Sequence, residues 1–131
     1  MLVTAAISHC GTHLVYVTTA RLRLLRMSLV EGEASLERLS VPDPPEDIHH
    51  VCLPADKLVL ISLAGLSVFT LSKDGAELER TVSLSQLGLV GAVSRVAHTD
   101  TVMVLVDSQD TMVTFSLSSY SLGKGPLHSI L

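Results

Sequence analysis

The chain has no tryptophan and only two phenylalanines and two tyrosines in 131 residues. Aromatics make up 3% of it, against 47% apolar residues in all. Leucine, valine and isoleucine must therefore build the core, with help from Tyr16, Phe69, Phe115 and Tyr120. Charge is scarce too: 17% of residues are charged, where soluble domains carry about a quarter. A chain so poor in charge buries most of its strands on both faces or belongs to something larger. Its two cysteines, Cys10 and Cys52, are too few to staple a disulfide scaffold. Apolar runs such as "LVLISLAGL" stop at about nine residues, half of what a membrane-spanning helix needs. No basic segment precedes an apolar stretch at the N-terminus. The net charge of -4 argues against a phosphate-binding surface spread over the whole domain. The expectation is a reduced, intracellular, soluble protein that makes no membrane contact, with residues 1–131 forming one domain.

What the sequence does contain is repetition. "VTAAISHCGTHLVYVTTARLRLLRMSL" from Val3, "IHHVCLPADKLVLISLAGLSVFTLS" from Ile48 and "VSRVAHTDTVMVLVDSQDTMVTFSLS" from Val93 run through the same events in the same order. Leu14, Val59 and Val104 recur every 45 residues, as do Ala6, Val51 and Val96. In each unit a short strand ends in a polar turn, and a dense apolar strand follows: "HLVYV", "KLVLIS", "VMVLV". A tight turn leads to a third strand: "RLRLLRM", "LSVFTL", "MVTFSL". A more polar fourth strand closes the unit: "ASLERLSV" after Glu31-Gly32-Glu33, and "ELERTVSL" after the Asp74-Gly75 pair. In the third unit that strand is weak, and "LHSIL" at the end of the chain is its candidate. "PDPPED" (42–47) and "SQLGLVGA" (85–92) read as breaks between units. Four antiparallel strands repeated about every 45 residues are the pattern of a β-propeller. The expected fold is all-β: three four-stranded antiparallel repeats spanning approximately 2–41, 48–84 and 93–131.

The chemistry-bearing residues are few. His9, Cys10 and His13 crowd the stretch "SHCGTH" and are the candidate metal ligands. A zinc site needs about four ligands in tetrahedral geometry, so His49, His50 and Cys52 would have to join them from one repeat away. In the repeat frame the stretch is instead the turn after the first strand, with Gly11 supplying a positive φ. Cys52 reads as a small buried apolar residue. Arg21, Arg23 and Arg26 form a basic cluster that could grip RNA phosphate or an acidic groove of a partner. The plainer reading sets Arg21 and Arg23 on the wet side of a strand whose other side carries Leu22 and Leu24. Glu77 and Glu79 lie on a solvated outer strand, and "GKG" (123–125) lacks the rest of a phosphate-binding loop. No catalytic residue and no cofactor is assigned, and the expectation is a protein without enzymatic activity.

The repeats resemble those of WD-repeat propellers along the whole chain. The family's Trp-Asp pair maps onto Leu25-Arg26, Phe69-Thr70 and Phe115-Ser116, each a bulky apolar residue followed by a polar one. In "DSQDTMVTF" (107–115), Ser108 and Asp110 stand at the family's Ser and Asp positions. The Gly-His pair before the first strand is missing, so the family's hydrogen-bond network is incomplete in every repeat. "ISHCGTHLVYVTTARLRLLRM", followed by "ASLERLSV", is similar to a repeat of the cirhin family, WD-repeat subunits of the small-subunit processome. That resemblance implies a nucleolar scaffold that binds other protein subunits during pre-rRNA processing and ribosome biogenesis. A propeller adaptor presenting peptides in a ubiquitin-ligase or trafficking complex is the alternative. A metal- or Cys-dependent enzyme using His9, Cys10, His13, His49 and Cys52 is a remote one. Three repeats do not close a ring. The chain is therefore expected to be a piece of a longer propeller, unless a homodimer or a partner protein supplies the missing repeats.

Overall fold

The computed structural model describes residues 2–8 and 11–123. The chain forms three antiparallel sheets. The first contains β1 (Leu2–Ile7), β2 (His13–Thr18), β3 (Leu22–Val30) and β4 (Glu33–Leu39). The second contains β5 (Ile48–Cys52), β6 (Lys57–Ser62), β7 (Gly65–Ser72) and β8 (Gly75–Ser83). The third contains β9 (Val93–His98), β10 (Val102–Asp107) and β11 (Met112–Ser116). Within each sheet the strands lie in chain order, each paired with the next. The tight connections do this: Glu31 and Gly32 both take positive φ, as a two-residue hairpin turn with the native strand twist requires.

The third sheet has three strands among the described residues, one fewer than the sequence implies. The expected fourth strand, "LHSIL", lies outside the described residues. The chain does turn back along β11: Leu122 bridges Phe115, and the Gly123 amide donates to the Thr114 carbonyl at 2.9 Å. A second departure is α1 (Leu84–Leu87), a single helical turn where the sequence read only a break. Ser83 caps it by accepting from the Gln86 amide, while the Gln86 side chain accepts from the Ser83 amide. Gly88, left-handed at φ 78, ends it.

The inner strands β6 and β7 of the middle sheet are buried on both faces. Leu58, Leu60, Phe69 and Leu71 pack toward the first sheet, against Val15, Val17, Leu24 and Leu39. Val59, Ile61, Leu66 and Val68 pack toward the third, against Met103, Leu105, Phe115 and Leu117. Alternation along β6 sends successive residues into two different cores.

Strand pairing corrects the 45-residue frame. His13 pairs with Arg26, Lys57 with Thr70, and Val102 with Ser116, each at the open end of its β2–β3-type hairpin. In that register Leu14 is equivalent to Leu58, not to Val59. Val59 and Val104 do correspond, and Ala6 corresponds to Cys52, as each pairs with the equivalent residue Val15 or Val59. A slip of one residue moves a whole strand's side chains to the other face. "HLVYV" allowed the slip because it is apolar on both sides.

The two junctions between sheets are clasped differently. Between the first and second, the Ala76 amide donates to the Ser40 carbonyl at 3.0 Å, and Ser40 bridges Gly75. A side chain at Gly75 would sit 2.9 Å from that carbonyl oxygen, and φ there is +152°, so glycine is required. Between the second and third, Lys57 of β6 and Arg80 of β8 reach the Tyr120 side chain that follows β11.

Candidate functional site

His9 and Cys10 lie outside the described residues, so the opening cluster is represented by its flanks. Gly11 has φ 75 and its amide donates to the Ser8 carbonyl at 2.9 Å, which is turn geometry. His13 opens β2 beside Arg26, and its Nδ1 lies 3.1 Å from the Thr12 hydroxyl. Burial, and then the Arg26 charge, lower its pKa from 6.5. His49 is lowered likewise, by burial first and the neighbouring His50 second; Asp47 opposes both. The His49 and His50 rings meet edge to face at 5.1 Å. Cys52 is buried in the core between the second and third sheets, which pushes its thiol up to about 11. Among the described residues no three His, Cys, Asp or Glu side chains come close enough to hold a metal ion.

The arginines of the basic cluster part company. Arg26 pairs with Glu37 across β3 and β4 and donates to the Lys73 carbonyl at 2.6 Å. It thereby ties the first sheet to the β7–β8 turn. Arg23 points the other way, beside Tyr16, and donates to the Leu22 carbonyl. Arg21 is exposed in the β2–β3 turn, where its backbone bonds Thr18. Arg38, which sequence reasoning passed over, pairs with Leu25 and so shares the face of Arg23. Arg21, Arg23 and Arg38 border one recess of about 410 Å³.

That face of the first sheet covers none of the described core. It carries Ile7, Leu14, Leu25 and Arg38 in one cross-strand row, and Tyr16 with Arg23 in the next. Met27 pairs there with Leu36, and Leu29 with Ala34. Ile7 is 60% exposed, Leu29 74% and Leu36 62%. Apolar side chains mixed with tyrosine, methionine and arginine are the usual make-up of a protein-binding surface.

Two polar arrangements escaped the sequence. Asp107 is fully buried. One carboxylate oxygen accepts from the Val90 and Gly91 amides at 2.8 and 3.0 Å, the other from Gln109 and Thr111 at 2.9 Å each. Burial works against its charge, but the four amides prevail and hold its pKa down at about 2. Asp107 thus fixes both the β10–β11 turn and the segment entering the third sheet. Asp110, the residue the WD resemblance selects, instead takes a left-handed conformation at φ 61.

The second arrangement surrounds Glu79, the extra residue of a bulge in β8. It accepts from Lys57 at 2.8 Å and from the Thr70 hydroxyl. Lys57 also reaches the Tyr120 hydroxyl at 3.2 Å, and the Arg80 guanidinium lies 4.7 Å from the Tyr120 ring centre. The hydrogen bond from Lys57, then that from Thr70, keeps the Glu79 pKa at about 2; Lys57 is raised chiefly by the same bond. Both stay charged across the neutral range, which suits a clasp and not proton transfer. Glu77 remains exposed and opposite Thr70. No family model and no curated protein matches the chain.

Proposed function

We propose that the chain is a non-catalytic protein-interaction scaffold, a WD-like β-propeller segment of a subunit in a large assembly. The open face of the first sheet carries this reading. Leu14, Tyr16, Leu25 and Met27 stand there at the positions of Leu58, Leu60, Phe69 and Leu71, all four of which are buried in the second repeat. A surface built with the residues of an inter-sheet core, and edged by Arg23 and Arg38, is suited to receive another protein surface. Stacked antiparallel sheets of four, four and three strands in strict chain order are compatible with successive propeller blades.

The stretches from Ile7 to Met27 and from Ala34 to Val41 that resemble the cirhin family direct the choice of assembly toward early small-subunit pre-ribosomal particles. Such a protein works in the nucleolus by binding other subunits, with Arg21 and Arg23 available to pre-rRNA phosphates. Gradient sedimentation of the tagged protein from cells tests this. Co-migration with pre-rRNA, lost in an Arg23→Glu/Leu25→Glu variant that still folds, is expected. Migration of the wild-type protein with the light fractions overturns the assembly reading. Co-migration with ubiquitin-ligase or trafficking subunits instead of pre-rRNA overturns the pathway and leaves the scaffold.

A further inference from the structure

We infer that the recess at the start of β3 binds an extended acidic segment of a partner protein, which continues the outer edge of the first sheet where β4 stops short. The inference rests on the scaffold reading in taking the first sheet as a contact surface, and it names the partner's chemistry.

The first two sheets differ at this edge. In the second, β8 follows β7 back to its start: Arg80 pairs with Val68, then Thr81 with Ser67, Val82 with Leu66 and Ser83 with Gly65. In the first, the matching strand ends at the pair of Leu39 with Leu24, because Ser40 turns away to bridge Gly75. Arg21, Leu22 and Arg23 therefore have no outer strand beside them. Arg21 records the difference in its side chain. Its equivalent is Gly65, where a side chain would collide with the Val82 carbonyl oxygen. An arginine fits there because the outer strand is missing.

The alternation of hydrogen bonds along β3 turns Leu22 to the vacant edge. Arg21 and Met27 bond to the β2 side, so the even-numbered residues between them direct their backbone groups outward, as Leu24 does toward Leu39. The Leu22 carbonyl accepts from the Arg23 guanidinium at 3.3 Å, a contact that an incoming amide would replace. Such an edge is a template for another extended chain.

Charge selects which chain. Arg21, Arg23 and Arg38 border the recess, and none of them pairs with a carboxylate among the described residues. A guanidinium fork takes a carboxylate through two parallel bonds. RNA phosphates are the other anions these side chains suit, but Val41 and Pro44 make the wall apolar, and the described lining includes no aromatic ring for a base to stack on. Covering the face of the first sheet would not close this site. In the second repeat Ser67 and Leu78 stand at the positions of Arg23 and Arg38. With the first sheet packed over that face, Ser67 is still only half-buried and Leu78 is 49% exposed.

The test is fluorescence anisotropy of a labelled peptide of alternating glutamate and valine, titrated with the purified chain. Wild type is expected to bind it, less tightly as salt is raised, and to bind the glutamine–valine counterpart more weakly. Arg21→Glu and Arg38→Glu, both at exposed positions, should each weaken binding by about fivefold or more, the scale of an exposed ion pair. Arg95→Glu, the same charge change on β9, should leave it unchanged. A peptide N-methylated along its backbone keeps the charges and loses the amides, and should bind less tightly. Circular dichroism checks that each variant folds; Arg21→Gln and Arg38→Gln replace either one that does not. Equal affinity for the glutamine peptide, or an equal loss in Arg95→Glu, overturns the inference. Equal affinity for the N-methylated peptide overturns strand addition. Tighter binding of a single-stranded RNA of the same charge assigns the arginines to RNA and overturns the peptide. A wild-type chain that ignores the acidic peptide yet sediments in the heavy fractions from cells overturns this inference and leaves the scaffold reading. A chain that binds the peptide but stays in the light fractions does the reverse.

Discussion

Leu25 and Phe69 hold the same place in successive repeats, yet Phe69 is buried between two sheets and Leu25 lies on an open one. The strands around them are alike in length, register and apolar content; what differs is the neighbour. The second sheet spends both of its faces on packing inside the chain, while the first spends one. The residues chosen for each follow: Phe, Leu and Ile in the enclosed sheet; Tyr, Met and Arg mixed with Leu on the open face. The same strand pattern makes a core when a sheet covers it and a contact surface when none does.

The sharpest way to break that comparison is to shorten both residues. Phe69→Ala should cost about 3–5 kcal/mol, the range for deleting a buried aromatic ring. For a domain of this size that amounts to roughly 10 °C or more in melting temperature, read by circular dichroism or calorimetry. A loss below about 1 kcal/mol would mean that the first and second sheets are not packed on one another as described.

The contrast between the two residues was partly legible in the sequence. Aligning Leu25, Phe69 and Phe115 on the bulky positions before a polar residue gives the equivalence that the strand pairing shows. The frame built on Leu14, Val59 and Val104 slips by one residue between the first two repeats. No polar residue interrupts Leu14 to Val17 to say which side is wet, and sidedness is the one thing a wholly apolar strand does not record. The short helix was written in "SLSQLG", where a serine and a glutamine three apart precede a glycine. It is one turn long and left no helical period to notice. The clasps were out of reach for another reason: Lys57 and Tyr120 are 63 residues apart, and nothing local marks either. Of the aspartates in "DSQD", only burial separates Asp107 from Asp110.

The junctions extend the comparison. Asp107→Asn keeps the shape but offers a single oxygen acceptor where the carboxylate uses two. The variant should melt below wild type at neutral pH, and its acid limb should be flatter. The native carboxyl titrates near 2 against 3.8 when free, so its contribution is complete above 3.8 and is lost as the pH falls toward 2. His13 and His49 act earlier in the same descent. Both have lowered values in the fold, so the unfolded chain takes up protons first, and stability should start to decline as the pH passes below 6.5. A pH series of melting temperatures for wild type and Asp107→Asn, in which the two curves stay parallel from pH 4 down to 2, would remove Asp107 from this account.

Glu79→Gln is a milder change, at the contact between the second and third sheets. The pair with Lys57 is partly exposed, so its loss should cost about 0.2–1 kcal/mol and shrink in high salt. The first junction has a counterpart in Arg26 and Glu37, so a matched Glu37→Gln variant shows whether the two clasps are of equal weight. The Lys57 pair should weigh more, because its carboxylate also accepts from Thr70 and its lysine also reaches Tyr120. Equal losses would mean that these added contacts contribute nothing.

Leu25→Ala should change least, within about 0.5 kcal/mol in dilute solution, as for most surface positions. Its effect should appear in assembly: the variant should keep the wild-type melting temperature as a purified chain, yet leave the heavy gradient fractions in which the wild-type protein sediments from cells. Phe69→Ala, by contrast, should lower the melting temperature of the purified chain, because its neighbours are in the same chain. Two equivalent positions would then differ in which measurement registers the loss, which separates a residue that holds a core from one that waits for a partner surface.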